Sequence, residues 1–140
     1  MDAGTEELYD TAIKAHDILL TSKSVFPFDL IPDTITVDRE KVTVVHRSFI
    51  KTSTVTSVRI KDILSIQANT GPFFGSVHLA SRYFINDPQK VNFLPRNDAI
   101  QIQRLVQGYI IATQKEIDCS NIDKDELIVL LDDLGQGITD

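Results

Sequence analysis

The stretch Thr34-Ile-Thr-Val-Asp-Arg-Glu-Lys-Val-Thr-Val-Val-His-Arg47 decides the class of fold. Apolar and polar side chains alternate on both sides of Asp38-Arg-Glu-Lys41, with Ile35 and Val37 before the break and Val42 and Val44 after it. A period of two puts each pair on one face of a strand, and a charged break between two such runs reads as a hairpin. The side chains are mostly β-branched. Branching at Cβ restricts χ1 against a preceding helical turn and suits a pleated backbone instead.

Beyond Arg47 the same chemistry recurs in short runs at 53–60, 63–68, 76–84 and 90–94. Gly71-Pro-Phe-Phe-Gly75 and Asn86-Asp-Pro-Gln89 punctuate them with turn residues. Six or seven short strands at this spacing predict a sandwich or barrel. The period then changes. Residues 98–115 carry Ile102, Leu105, Val106, Tyr109, Ile110 and Thr113 in a wide helical stripe, with Asn97 or Asp98 as the cap. A second helix is predicted over 123–134. Ser120 and Asp123 have nearly the spacing of a capping box, Leu127, Leu130, Leu131 and Leu134 make the apolar face, and Gly135 is the stop. On the N-terminal side, Pro27 and Pro32 break regular structure. Residues 5–21 predict a helix, with Thr5 as N-cap, Glu6 and Glu7 at the positive end of its dipole, and Leu8, Ala12, Ala15 and Leu19 on one face. The chain thus divides into an N-terminal helix and proline-containing linker (1–32), a barrel with its capping helix (33–115) and an acidic helical tail (116–140).

Several classes fall on composition. A chain of 140 residues, 42% apolar, buries roughly two thirds of its unfolded surface and needs no metal or disulfide to fold. The lone Cys119 excludes an internal disulfide framework and a multi-cysteine metal site. No apolar run approaches the roughly 20 residues of a membrane span, and no basic-then-apolar leader opens the sequence. Charge is segregated. Residues 34–115 hold eleven basic and five acidic side chains, while 116–140 hold one basic and eight acidic. The basic middle is either neutralised by its acidic flanks or turned toward an anionic partner. The net charge of −6 argues against duplex DNA, whose binding draws on many cation–phosphate contacts.

The order of short strands followed by one broad-striped helix resembles the bacterial pleckstrin-homology-like (PH-like) domains. The matching pieces are Ile35-Thr-Val-Asp-Arg39, Val42-Thr-Val-Val-His-Arg-Ser-Phe49, Ile60-Lys-Asp-Ile-Leu-Ser-Ile66, Gly75-Ser-Val-His-Leu79 and Val91-Asn-Phe-Leu94, then the closing helix, over roughly residues 33–115. The whole chain also resembles uncharacterised proteins of candidate-phylum bacteria that join such a domain to a Lys115-Glu-Ile-Asp-Cys-Ser120 tail. The resemblance implies an α+β fold: two near-orthogonal antiparallel sheets of six to seven strands forming a barrel, capped by a C-terminal helix. It also implies binding rather than catalysis. Lipid-binding relatives place several cations at the first hairpin loop. Taken as that loop, Asp38-Arg-Glu-Lys41 sets an anion beside each cation, which counts against phosphate capture.

Two groups are candidate binding residues. His46, Arg47 and Lys51 bracket Phe49 and Ile50, a combination that touches an anionic membrane surface when it sits at a loop tip. The plainer reading folds Phe49 and Ile50 inward against the barrel rim. Phe73 and Phe74 either pack on the barrel or offer an aromatic pair to a peptide. The loop around them is no phosphate loop, since it lacks the lysine and opens no helix. His16, His46 and His78 have no ligand spacing, and no Ser/His/Asp signature stands out. Asn121, Asp123, Asp125 and Asp132 fall at calcium-loop positions, but Glu126 stands where that loop needs glycine and Leu127 onward demands a helix. No catalytic residue, metal or cofactor is expected. The expected role is a non-catalytic cytoplasmic scaffold that engages a protein, a peptide or another copy. Peripheral attachment to the inner face of an anionic membrane is the alternative, and no nucleic acid partner is expected.

Overall fold

The computed structural model describes residues 4–5, 17–25, 31–47, 53–82 and 89–136. Among the described residues, seven strands form two antiparallel sheets. The first is the meander β1 (Ile18–Lys23), β2 (Thr34–Asp38), β3 (Lys41–Arg47) and β4 (Ser53–Arg59). A single 3-10 turn, Ile60–Asp62, leads into the second meander, β5 (Ile63–Thr70), β6 (Phe74–Ser81) and β7 (Gln89–Pro95). Two helices follow, α1 (Arg96–Gln114) and α2 (Lys124–Gln136). The α+β class and the strand runs agree with the sequence reading. The sheets do not close into one barrel, because no ladder joins β4 to β5 or β1 to β7 among the described residues.

Alternation does what it predicts in the central strands. Val37, Val42 and Val58 share one cross-strand row and are all buried, as are Ile35 and Val44 in the next. The outer face of the same sheet carries a hydroxyl row, Thr21, Thr36, Thr43 and Ser57, in which Thr21–Thr36 and Thr43–Ser57 are hydrogen-bonded. The α1 stripe of Ala99, Ile102, Leu105, Val106, Tyr109 and Ile110 completes the core.

The helix predicted over 5–21 is corrected at its C-terminal end: residues 18–23 are β1. Leu19 matches a helical stripe, but as a strand the segment gives β2 a second partner, with Thr21 opposite Thr36 and Lys23 opposite Thr34. A bulge between Ile18 and Leu20 points Leu19 inward, and the buried Ser22 hydroxyl donates to Asp98 Oδ2 at 2.7 Å. Gly4 is already helical, so Thr5 is not a cap; Leu8, Ala12 and Ala15 lie outside the described residues.

A second bulge decides how β7 meets the core. Gly75 pairs with Leu94 and Val77 with Val91, so Ser76 faces both Asn92 and Phe93. Strict alternation from the buried Val91 would send Phe93 inward and Leu94 outward. With the bulge, Leu94 is fully buried and Phe93 is turned out with φ 57. A bulky residue in the left-handed region costs on the order of 1–3 kcal/mol, so its surroundings must hold it. Here the Phe93 ring meets Phe74 edge-on at 6.2 Å, and its carbonyl accepts the Val25 N–H at 2.8 Å.

The helix ends differ from the expected caps. Pro95 precedes α1, so Asn97 and Asp98 lie within its first turn. Asp123, not Ser120, stands before the first residue of α2. The α1 C-terminus closes without glycine: Glu116 N–H donates to Thr113 O and Ile117 N–H to Ala112 O, with Glu116 at φ 58. This is a Schellman closure, in which the left-handed position ordinarily belongs to glycine. Gly135 is no stop; it lies inside α2. A Cβ on Gly135 would overlap the carbonyl of Arg104, and one on Gly108 would overlap the carbonyl of Leu131. Each helix thus presses a glycine against a backbone carbonyl of the other, and the acidic tail lies along α1 with Leu127 and Leu131 buried. Among the described residues, no helix is long and apolar enough to cross a membrane.

Two stability changes follow, both read by urea unfolding. Gly135→Ala forces α1 and α2 apart and is expected to cost about 3 kcal/mol, the upper part of the usual overpacking range. Glu116→Gly relieves the left-handed backbone and is expected to add about 0.5–1 kcal/mol despite the greater freedom of the unfolded chain.

Candidate functional site

The β2–β3 turn is built around Asp38. Its buried Oδ1 accepts the Glu40 and Lys41 N–H groups at 2.8 and 2.9 Å, and Oδ2 lies 3.1 Å from Lys41 Nζ. Short-range capture of backbone donors by an Asp side chain is what makes this sequence a tight turn. Arg39 points inward with only 10% of its side chain exposed. Its guanidinium donates to Asp17 Oδ2 at 2.7 Å, to Cys119 O at 3.1 Å and to Ile122 O at 2.9 Å. Both cations of the turn are therefore engaged within the fold. With β1 in place this turn is also the second connection, not the first. The first spans residues 24–33 and contains no lysine or arginine.

Beside the turn lies a cleft of 370 Å³ bounded by Glu40, Arg59, Lys61, Tyr109 and Thr113. Tyr109 Oη donates to Arg39 O at 2.6 Å. Burial pushes its phenol up to about 12, Cys119 nearby adds to the rise, Arg39 opposes it, and Asp38 and Glu40 add a little more. The Cys119 thiol is also raised, first by burial and then by Asp118, against a smaller pull from Arg39. A thiol held protonated is a poor nucleophile, which fits an inert linker cysteine. Asp125 and Asp132 stand on turns of α2 rather than on a loop.

The basic-apolar group at 46–51 is described only in part, since Phe49, Ile50 and Lys51 lie outside the described residues. His46 and Arg47 end β3. Asp33 sits against both: its Oδ2 is 3.0 Å from His46 Nδ1, and its Oδ1 accepts the Arg47 N–H at 3.2 Å. A carboxylate thus stands within this basic group. The aromatic pair divides. Phe73 is 78% exposed at the β5–β6 turn, while Phe74 packs edge-on to Phe93.

The feature that sequence reading passed over is the outer edge of β5. β5 is the end strand of its sheet, and no strand pairs with its free side among the described residues. The strand reads Ile-Leu-Ser-Ile-Gln-Ala-Asn-Thr, without a charge or a proline. A bulge between Ile63 and Ser65 turns Leu64 outward at 53% exposure. Alongside runs a groove of 380 Å³ floored by Ile66 and Ala68, with Ile100, Gln103 and Arg104 of α1 as its far wall. The signals were present in the sequence: no lysine, arginine, aspartate or glutamate from Ile63 through Ser81, and Arg104 as the one charge between Ala99 and Gln114. Neither signal points to an edge until the strand order is known.

No family model matches the chain, and no curated protein matches it.

Tyr109 gives a pH test of the turn. Between its ordinary value of 10.0 and about 12, the unfolded chain loses the phenol proton while the folded chain keeps it. The stability it contributes is whole below pH 10 and is lost as pH rises toward 12, by up to about 1.4 kcal/mol per unit. Tyr109→Phe should remove that part of the slope and cost about 1 kcal/mol at neutral pH for the lost hydrogen bond to Arg39 O. Urea unfolding at pH 7 and across pH 10–11 measures both.

Proposed function

We propose that this chain is a PH-like, non-catalytic binding module that takes up an extended segment of a partner protein along the free edge of β5. The observation that carries the reading is the pairing of an unguarded edge with a groove. Edge strands in stable proteins are blunted by charge, proline, bulges or cover, because a row of free N–H and C=O groups templates pairing with any passing strand. β7 is blunted in this way by its bulge and by Pro95, and β1 by its bulge and Lys23. β5 has, like β1, a bulge at its first pair, and beyond it no charge or proline. β4, the fourth end strand, is equally uncharged from Ser53 to Val58, and what sets β5 apart is the groove beside it. The groove adds what bare pairing lacks. An added strand gains affinity from main-chain hydrogen bonds, and its alternate side chains gain specificity from the pockets they enter.

The PH-like part of the proposal has separate support. A four-strand meander, a three-strand meander and a long C-terminal helix follow the element order that the sequence resemblance implies. Attachment to an anionic membrane through residues 46–51 is the competing proposal, and the Asp33 carboxylate beside His46 and Arg47 weighs against it.

The test is selection from a displayed library of random twelve-residue peptides, followed by amide hydrogen exchange on the complex. The expected result is that selected peptides protect the outward amides of β5. Replacing Gln67 and Asn69 together by lysine should weaken binding tenfold or more, on the order of 1.4 kcal/mol, with an unchanged melting temperature. Selected peptides that protect another surface, or that bind the lysine variant as tightly, would overturn the reading.

A further inference from the structure

We infer that the strand taken up along β5 carries a carboxylate side chain, read by Arg104. This rests on the proposed use of the β5 edge and names the chemistry of its partner. Arg104 is a half-buried side chain near the middle of α1. It forms no hydrogen bond and no ion pair among the described residues. It is also the one ionised residue lining the groove, whose other walls are Ile66, Ala68, Ile100 and uncharged polar side chains.

An arginine in that position is incomplete. Its fork of donors suits a carboxylate in bidentate geometry, and partial burial strengthens such a bond relative to one in open water. The contrast with Arg39 is direct: that guanidinium is satisfied by one carboxylate and two carbonyls. The carboxylates that line the adjoining cleft between α1 and α2 with Arg104 are Asp132 and Asp133, and neither forms an ion pair with it. Their presence also selects between anions. A phosphate dianion is usually gathered by several arginines. Here a single guanidinium stands beside two acidic residues, which oppose a doubly charged group about twice as strongly as a singly charged carboxylate. The position of Arg104 is fixed independently of any ligand, because its carbonyl is pressed against Gly135. The side chain is therefore presented by a rigid part of the molecule.

The test repeats the displayed-peptide selection on the intact chain, on Arg104→Gln and on Arg104→Glu. Wild-type protein should enrich Asp or Glu at one fixed peptide position. Arg104→Gln should weaken the best such peptide about tenfold and leave its alanine-substituted form unaffected. Arg104→Glu should enrich Lys or Arg at that same position, a reversal that a misfolded variant cannot produce. A phosphoserine in place of the acidic residue should bind more weakly than Glu. Wild-type peptides without a preferred acidic position, or an Arg104→Glu pool with unchanged charge, would overturn the inference. If such peptides still protect β5 and still lose affinity to the paired lysine substitutions at Gln67 and Asn69, the edge reading survives and only the role of Arg104 falls. If acidic peptides bind the lysine variant more tightly than wild type, attraction of charge explains them and both readings fall.

Discussion

Arg39 holds together parts of the chain that no ladder connects. From the tip of the β2–β3 turn its guanidinium reaches Asp17 ahead of β1 and two carbonyls in the link between α1 and α2. Its own carbonyl accepts from Tyr109 in α1. Taking a guanidinium out of water costs several kcal/mol, and charge-assisted hydrogen bonds at about 1.5–3 kcal/mol each roughly offset that cost. The gain is then in arrangement more than in net stability. A linker whose carbonyls must meet Arg39 has one place to run, and α2 is delivered to one side of α1. Once there, the reciprocal glycine contacts at Gly108 and Gly135 admit only a close approach. The same use of Arg39 removes the turn as a cationic cup, so that a function built on charge must be carried elsewhere.

What the sequence made legible was whatever depends on local period. β2 and β3 follow from alternation alone, because Ile35, Val37, Val42 and Val44 all need the same interior. The α1 stripe follows from the same logic at the helical period. β1 did not, because Leu19 satisfies a helical face as well as a strand face, and the deciding partner is β2 across a ten-residue connection. Phe93 is a harder case of the same kind. Nothing in Val91-Asn-Phe-Leu94 announces a bulge, and an outward phenylalanine breaks the local rule in order to bury Leu94. Gly135 and Glu116 exchange the roles their residue types suggest. The glycine serves close helix packing, and the glutamate takes the left-handed cap. In both positions tertiary contact outweighs a local preference worth about 1 kcal/mol.

The candidate site was less legible than the fold, and for a physical reason. Sequence reading finds chemistry where unusual residues cluster, as at His46 to Lys51 or at Phe73 and Phe74. An edge has no residue signature of its own. It is defined by which neighbour a strand lacks, and that is a property of the sheet order. Arg104 likewise reads as a solvated helix charge until α2 and β5 are seen on its two sides.

The edge of β5 and the packing of α2 also bear on each other. Arg104 lines both the groove against β5 and the cleft against α2. Its backbone is pinned by Gly135, while its side chain forms no ion pair among the described residues, Asp132 and Asp133 included. A helix that served only to cover apolar surface could have met Arg104 with a paired carboxylate, as Asp17 meets Arg39 at 2.7 Å. Instead the charge stays open on the side where β5 is also open. Two unmet demands, backbone hydrogen bonds along the strand and a counter-charge on the helix, converge on one groove. One extended acidic segment would meet both together.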